Sequence, residues 1–176
     1  LDELSGYERN GAGCPIITAP NDYCYGPASA DGTPVAIAPP TALIKAVTQP
    51  TATIGEEFTY RVTLPTSPYP VPLYDVRILD DLNPLDAALS YVSVARVGGS
   101  TTWTPTNTGD AKNLVIEDTA NGIDIPVGEQ VVLDITVRVD DDAVNVNGLD
   151  FSNYATYTYN RLNDAPATEL PGAGGT

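Results

Sequence analysis

Val131, Leu133, Ile135, Val137 and Val139 alternate with Val132, Asp134, Thr136 and Arg138. Successive side chains of a strand point to opposite faces, so this period of two predicts a strand with one buried face. The same period recurs where Phe58, Tyr60, Val62 and Leu64 interleave with Thr59, Arg61 and Thr63. Shorter strand-like runs occupy 75–80, 89–97, 100–104 with Trp103, 114–117 and 151–160. Gly98-Gly99 and Asn121-Gly122 supply turns, and the four prolines of 65–72 mark a turn or an edge. Seven to nine strands at this spacing, with no sustained helical period, predict an all-β, Ig-like Greek-key β-sandwich over residues 43–162.

Residues 1–42 follow no such period. Pro15, Pro20, Pro27, Pro34, Pro39 and Pro40 interrupt them, with several glycines between. They read as an extended arm that packs along its own domain or reaches a neighbour. Cys14 and Cys24, the only cysteines, lie in this arm, and a chain without histidine makes a poor zinc site of two thiols. A disulfide closing a short loop is the favoured reading, which implies an oxidising compartment. Two free thiols in a cytosolic loop are the alternative. Residues 163–176 read as a flexible Gly/Pro tail or linker.

Charge narrows the partners. A formal net charge of −15 argues against nucleic acid and anionic membrane surfaces as partners, since both require a basic patch. No apolar run approaches the roughly 18 residues of a membrane span. No basic-then-apolar leader opens the chain, so Leu1 reads as a processed or externally set start. Without histidine the usual hydrolase triad is missing, and no enzyme is expected.

Three polar residues break the apolar faces. If Leu43 and Val47 point inward, so does Lys45; if Val76 and Ile78 do, so does Asp80; if Phe151, Ala155 and Tyr157 do, so does Asn153. Each alone is an expensive burial. Desolvation favours the neutral forms of an amine and a carboxylic acid. A neutral Lys45 amine is a nucleophile, and a neutral acid at Asp80 can polarise the Asn153 amide and shuttle protons. The predicted product is a Lys45–Asn153 isopeptide bond, formed once with loss of ammonia. The competing reading has Lys45 snorkelling outward, Asp80 capping a turn and Asn153 bonding a sheet edge.

The residues 41–47 (TALIKAV), 54–60 (IGEEFTY), 75–82 (DVRILDDL) and 151–155 (FSNYA) together resemble the DUF11 conserved-repeat family of prokaryotic surface proteins. The order lysine, acid, asparagine is similar to the isopeptide-forming Ig-like domains of Gram-positive adhesins and pilins. The resemblance covers residues 41–160 and implies an extracellular or cell-surface location. The doubled acid departs from the family's single position and leaves Asp81 as an alternative to Asp80. The tail's LPGAG is similar to an LPxTG sorting signal, with Ala173 where that signal has threonine.

Asp140, Asp142, Asn145, Asn147 and Asp150 crowd oxygen-bearing side chains into one loop, a composition that suits calcium but lacks EF-hand spacing. A solvated acidic turn is the favoured reading, so no cofactor is expected, with calcium the one candidate. Tyr154, facing away from Asn153, is a candidate contact for a glycan or a subunit. Two functional readings stand. The first is a structural subunit of an extracellular, pilus-like filament, self-assembled by strand donation from residues 1–42. The second is a module of a large adhesin or surface-layer protein that binds calcium or glycan.

Overall fold

A computed structural model describes residues 40, 42–100, 102–163, 170–172 and 174–175. The chain divides into two units, Leu1–Ala38 and Pro39–Thr176, and every described residue belongs to the second. Nine strands follow in order among the described residues: β1 (Ile44–Val47), β2 (Glu57–Leu64), β3 (Tyr74–Asp81), β4 (Leu89–Gly98), β5 (Thr106–Asn107), β6 (Asn113–Glu117), β7 (Val131–Val139), β8 (Ala155–Asn160) and β9 (Leu170–Pro171).

The two clearest alternating runs become neighbours. β2 and β7 pair antiparallel along their whole common length, with Phe58 opposite Val137, Tyr60 opposite Ile135 and Val62 opposite Leu133. In-register alternation puts all the apolar members on one face, so the pair presents a continuous inner wall. β1 and β4 flank it, giving the order β1-β2-β7-β4. The second sheet runs β5-β6-β3-β8-β9. β1-β2-β7-β4 matches the A-B-E-D sheet of an Ig constant-type domain, and β3-β8-β9 matches C-F-G. The β5-β6 hairpin is an insertion that widens the second sheet beside β3. Val62, Leu133 and Ile135 from one sheet and Val76, Ile78, Leu114 and Ile116 from the other are fully buried or nearly so. The Ig-like sandwich stands as expected.

Local departures have identifiable causes. The 102–104 segment forms no strand, although Trp103 is buried. The Thr104 amide donates to the Asp118 carboxylate at 2.8 Å, and Pro105 has no amide hydrogen to offer a ladder. Val47 is exposed rather than buried, although it still pairs with Tyr60, because it lines an open groove at that edge. β8 begins at Ala155, so Asn153 lies on the approach to the strand rather than within it. The segment read as a flexible tail also contributes structure: Leu170 and Pro171 pair with Tyr159 and Thr158, and Gly175 bridges Ala155. Gly172 rests so closely on the Tyr157 ring that a Cβ would lie 2.2 Å from it, so only glycine fits. The arm, with Cys14 and Cys24, lies outside the described residues.

Candidate functional site

Lys45 is the one buried residue of β1. Its partner across the ladder is Val62, which makes Tyr60 its diagonal neighbour on the same face. In the opposite sheet Asp80 sits on β3 between Leu114 of β6 and Ala155 of β8. The lysine and the acid therefore meet across the interior, each surrounded by hydrocarbon. Lys45 Nζ lies 2.5 Å from Asp80 Oδ2, with side chains 1 % and 0 % exposed. Asn153 is buried two residues before Ala155. The parity argument thus placed all three side chains inside, and the Lys45–Asp80 contact joins the two sheets.

The cluster is poorly satisfied. Asp80 Oδ1 and both polar atoms of the Asn153 amide are buried without a hydrogen-bond partner. Buried polar groups are normally paired, and each orphan costs about 1–3 kcal/mol. Burial is the main influence on Lys45 and pulls its pKa below that of an ordinary lysine, against the opposing attraction and hydrogen bond of Asp80. The amine is held closer to its nucleophilic form than a surface lysine.

Tyr60 completes the pocket. Lys45 Nζ stands 4.3 Å from the centre of its ring. Burial and the nearby Asp80 charge push the Tyr60 hydroxyl pKa up, and the approaching Asn153 side chain offsets part of that rise. That approach falls short of hydrogen-bond geometry, since neither Asn153 polar atom is paired. Tyr60 was read from sequence only as a core residue. The signal that would have found it is the β1–β2 register, which sets it diagonally across from Lys45. Above the cluster a groove of about 990 Å³ opens between the 49–54 and 145–152 loops, with Lys45, Tyr60 and Asn153 in its wall. Lys45 and Asn153 share the groove wall and Asp80 meets Lys45 from the opposite sheet, a set of amine, amide and carboxyl group whose chemistry allows amide exchange with release of ammonia.

The other candidates have different surroundings. Asp81, the alternative acid, is exposed and accepts hydrogen bonds from Asn83 N at 2.9 Å and Asn83 Nδ2 at 2.8 Å. It caps a turn. Asp140 accepts from Ser90 Oγ and, at 2.7 Å, from Lys112 Nζ. Asn145 accepts from Ala88 N and donates to the carbonyls of Ala88 and Asp140. Asp142 Oδ1 accepts from Val144 N at 3.0 Å. Asn147 and Asp150 stand in the groove wall. Among the described residues no three His, Cys, Asp or Glu side chains are gathered to hold a metal ion. Tyr154 is exposed, as expected of the face opposite Asn153. Among the described residues no helix is long and apolar enough to cross a membrane.

No family model matches the sequence, and no curated protein does. Among solved structures, the chain is similar to the full-length major pilin SpaD from Corynebacterium diphtheriae, with a TM-score of 0.50 and 20 % identity over 75 % of this chain. The match takes in 34 % of the pilin, so the chain spans about a third of that protein's length. At this identity the likeness speaks for the fold alone. A second structure, of AvmM, which catalyses macrocyclization in alchivemycin A biosynthesis, aligns at a TM-score of 0.36 and 14 % identity, over 76 % of this chain and 84 % of its own. That score carries no argument about fold or activity.

Proposed function

We propose that the chain is a structural subunit of an extracellular, pilus-like filament whose Ig-like domain is locked by a Lys45–Asn153 isopeptide bond. The carrying observation is the buried Lys45–Asp80 contact, with the unpartnered Asn153 amide in the wall of the same groove as Lys45. Proton transfer across that contact leaves a neutral amine and a neutral acid. Lys45 Nζ attacks Asn153 Cγ, the Cγ–Nδ2 bond breaks, and the nitrogen leaves as ammonia through the groove. Asp80, protonated by that transfer, gives a proton to the departing nitrogen, takes one from the attacking nitrogen and ends as the neutral acid. No cofactor takes part. The bond would tie β1 of one sheet to the segment leading into β8 of the other. The DUF11-type segments and the pilin-like fold support a surface protein, and the acidic charge suits neither nucleic acid nor an anionic membrane.

Residues 1–42, closed by a Cys14–Cys24 disulfide, are proposed to donate a strand to the next copy. β1 and β4 are the outermost strands of the first sheet and offer backbone edges for such an addition.

Intact mass tests the cross-link. The parent should weigh one ammonia less than its sequence, and Lys45→Ala and Asp80→Ala should not; a parent of full mass overturns the bond. Sedimentation of the full chain, with and without added peptide 1–42, tests the assembly. Concentration-dependent polymers that the peptide caps support strand donation. Monomers at every concentration, with the deficit present, leave a self-crosslinked surface module instead.

A further inference from the structure

An Asn-Gly step is open to attack from within, because glycine has no side chain to keep its backbone nitrogen from the asparagine Cγ. Such steps occur at 10–11, 121–122 and 147–148, the first outside the described residues. The other two lie in turns with a left-handed glycine, φ +71° at Gly122 and +80° at Gly148. Their surroundings are opposite. Gly122 N donates to Asp118 O at 3.0 Å, and Asn121 N donates to Asp118 Oδ1 at 3.1 Å. A Cβ on Gly122 would lie 2.3 Å from Asp75 Oδ1, so that peptide is both bonded and packed. A Cβ on Gly148 would meet nothing within 4 Å. The turn there is closed by Leu149 N donating to Val146 O at 3.2 Å, and Asn147 and Gly148 are both exposed. Among the described residues, neither the Asn147 side chain nor the Gly148 amide has a hydrogen-bond partner.

We infer that Asn147 is a self-modification site, its side-chain amide converted to an acid through attack by the Gly148 backbone nitrogen. Gly148 N bonds to Asn147 Cγ, the Cγ–Nδ2 bond breaks, and the Gly148 amide proton leaves with that nitrogen as ammonia. The product is a cyclic imide, which water then opens. Addition of water at Cγ gives aspartate. Addition at the Asn147 main-chain carbonyl gives isoaspartate, with the chain running through Cγ. The attacking nitrogen must shed its proton, so the rate climbs with pH. Residue 147 stands in the groove wall with Lys45 and Asp150, and each conversion adds a carboxylate to that wall. The reaction consumes only water and stands whether or not the Lys45–Asn153 bond forms. Its imide carries the same ammonia deficit as that bond, at a different place in the chain.

The test incubates the full chain, folded and in urea, at neutral and mildly alkaline pH, and maps it by tryptic digestion and mass spectrometry. Trypsin leaves Asn121 within 113–138 and Asn147 within 139–161, and fragmentation assigns each change to its residue. In the folded chain Asn147 should become aspartate and isoaspartate at least about tenfold faster than Asn121, the cost of freeing one bonded amide. In urea the two should convert at similar rates. Asn147→Gln, whose longer side chain closes a ring far more slowly, should remove the change from 139–161 and leave any deficit at Lys45 and Asn153 in place. An Asn147 that keeps its amide in the folded chain, while the unfolded chain loses it, overturns the site. So does a folded chain in which Asn121 keeps pace with Asn147.

Discussion

Among the described residues two lysine–aspartate pairs occupy this sandwich, and they differ in burial. Lys45 and Asp80 meet at 2.5 Å with side chains 1 % and 0 % exposed. Lys112 and Asp140 meet at 2.7 Å with side chains 36 % and 27 % exposed. At the outer pair burial works to raise the Asp140 pKa, but Lys112, Ser90 and Arg138 outweigh it and hold the carboxyl below its usual range. The outer acid is thereby kept ionised, and the pair is an ordinary ion pair tying the turn before β6 to the residue that follows β7. At the inner pair burial dominates and holds the lysine below its usual value. Desolvation is what separates the two pairs, since the residue types are the same.

Removing each lysine separates the pairs most strongly. A bond between Lys45 and Asn153 would close a loop of 153 − 45 = 108 positions. On the entropy scale used for disulfides, such a closure stabilises by about 4–5 kcal/mol. Lys45→Ala also strands Asp80 in the interior, which costs roughly 3–5 kcal/mol more. Urea unfolding should therefore show Lys45→Ala severely destabilised and carrying its full mass. Lys112→Ala should lose about 0–1 kcal/mol, as partly exposed pairs do, and keep the ammonia deficit. Equal losses for the two would erase the distinction.

Acidity sharpens it further, in a chain where Asn153→Ala prevents cross-linking. Lys45 is held below the unfolded value of 10.5, so the unfolded chain binds the extra proton. Its contribution to stability must rise as pH climbs toward 10.5. Asp140 is held below the unfolded value of 3.8, so its contribution is present above 3.8 and lost as pH falls through the folded value. Urea midpoints against pH should thus show an alkaline rise that Lys45→Met removes and an acid fall that Lys112→Ala reduces. An alkaline rise that survives in Lys45→Met would place its origin elsewhere.

Much of this was legible in the sequence because strand parity is local. The face of Asp80 followed from Val76 and Ile78, and that of Lys45 from Leu43, even though Val47 on the same face is exposed at the groove. What parity does not contain is who sits across the sandwich. That Lys45 meets Asp80 and stands over the Tyr60 ring, and that Ser90 and Lys112 engage Asp140, are consequences of packing between distant segments. β9 was illegible for a different reason. Glycines 172, 174 and 175 have no side chains to alternate, and they serve the fold by allowing the backbone to press on Tyr157, Tyr154 and Leu43.

The smallest effect concerns calcium at the outer pair. The oxygens of the 140–150 loop made it a candidate from composition. Asp140 already accepts from Ser90 and Lys112, and the Asn145 amide is bonded on both sides. An ion at this loop would have to displace Lys112, a cation already compensating the carboxylate. Millimolar calcium should therefore leave the melting temperature of the parent within about 1 °C, a change of a few tenths of a kcal/mol for a domain of this size. Lys112→Ala, which frees one Asp140 oxygen, is the chain in which a calcium-dependent rise should first appear. A rise of several degrees in the parent, removed by Asp142→Asn or Asp150→Asn, would show that the loop rearranges around an ion and that its acidic side chains, like the inner pair, have a use beyond holding strands together.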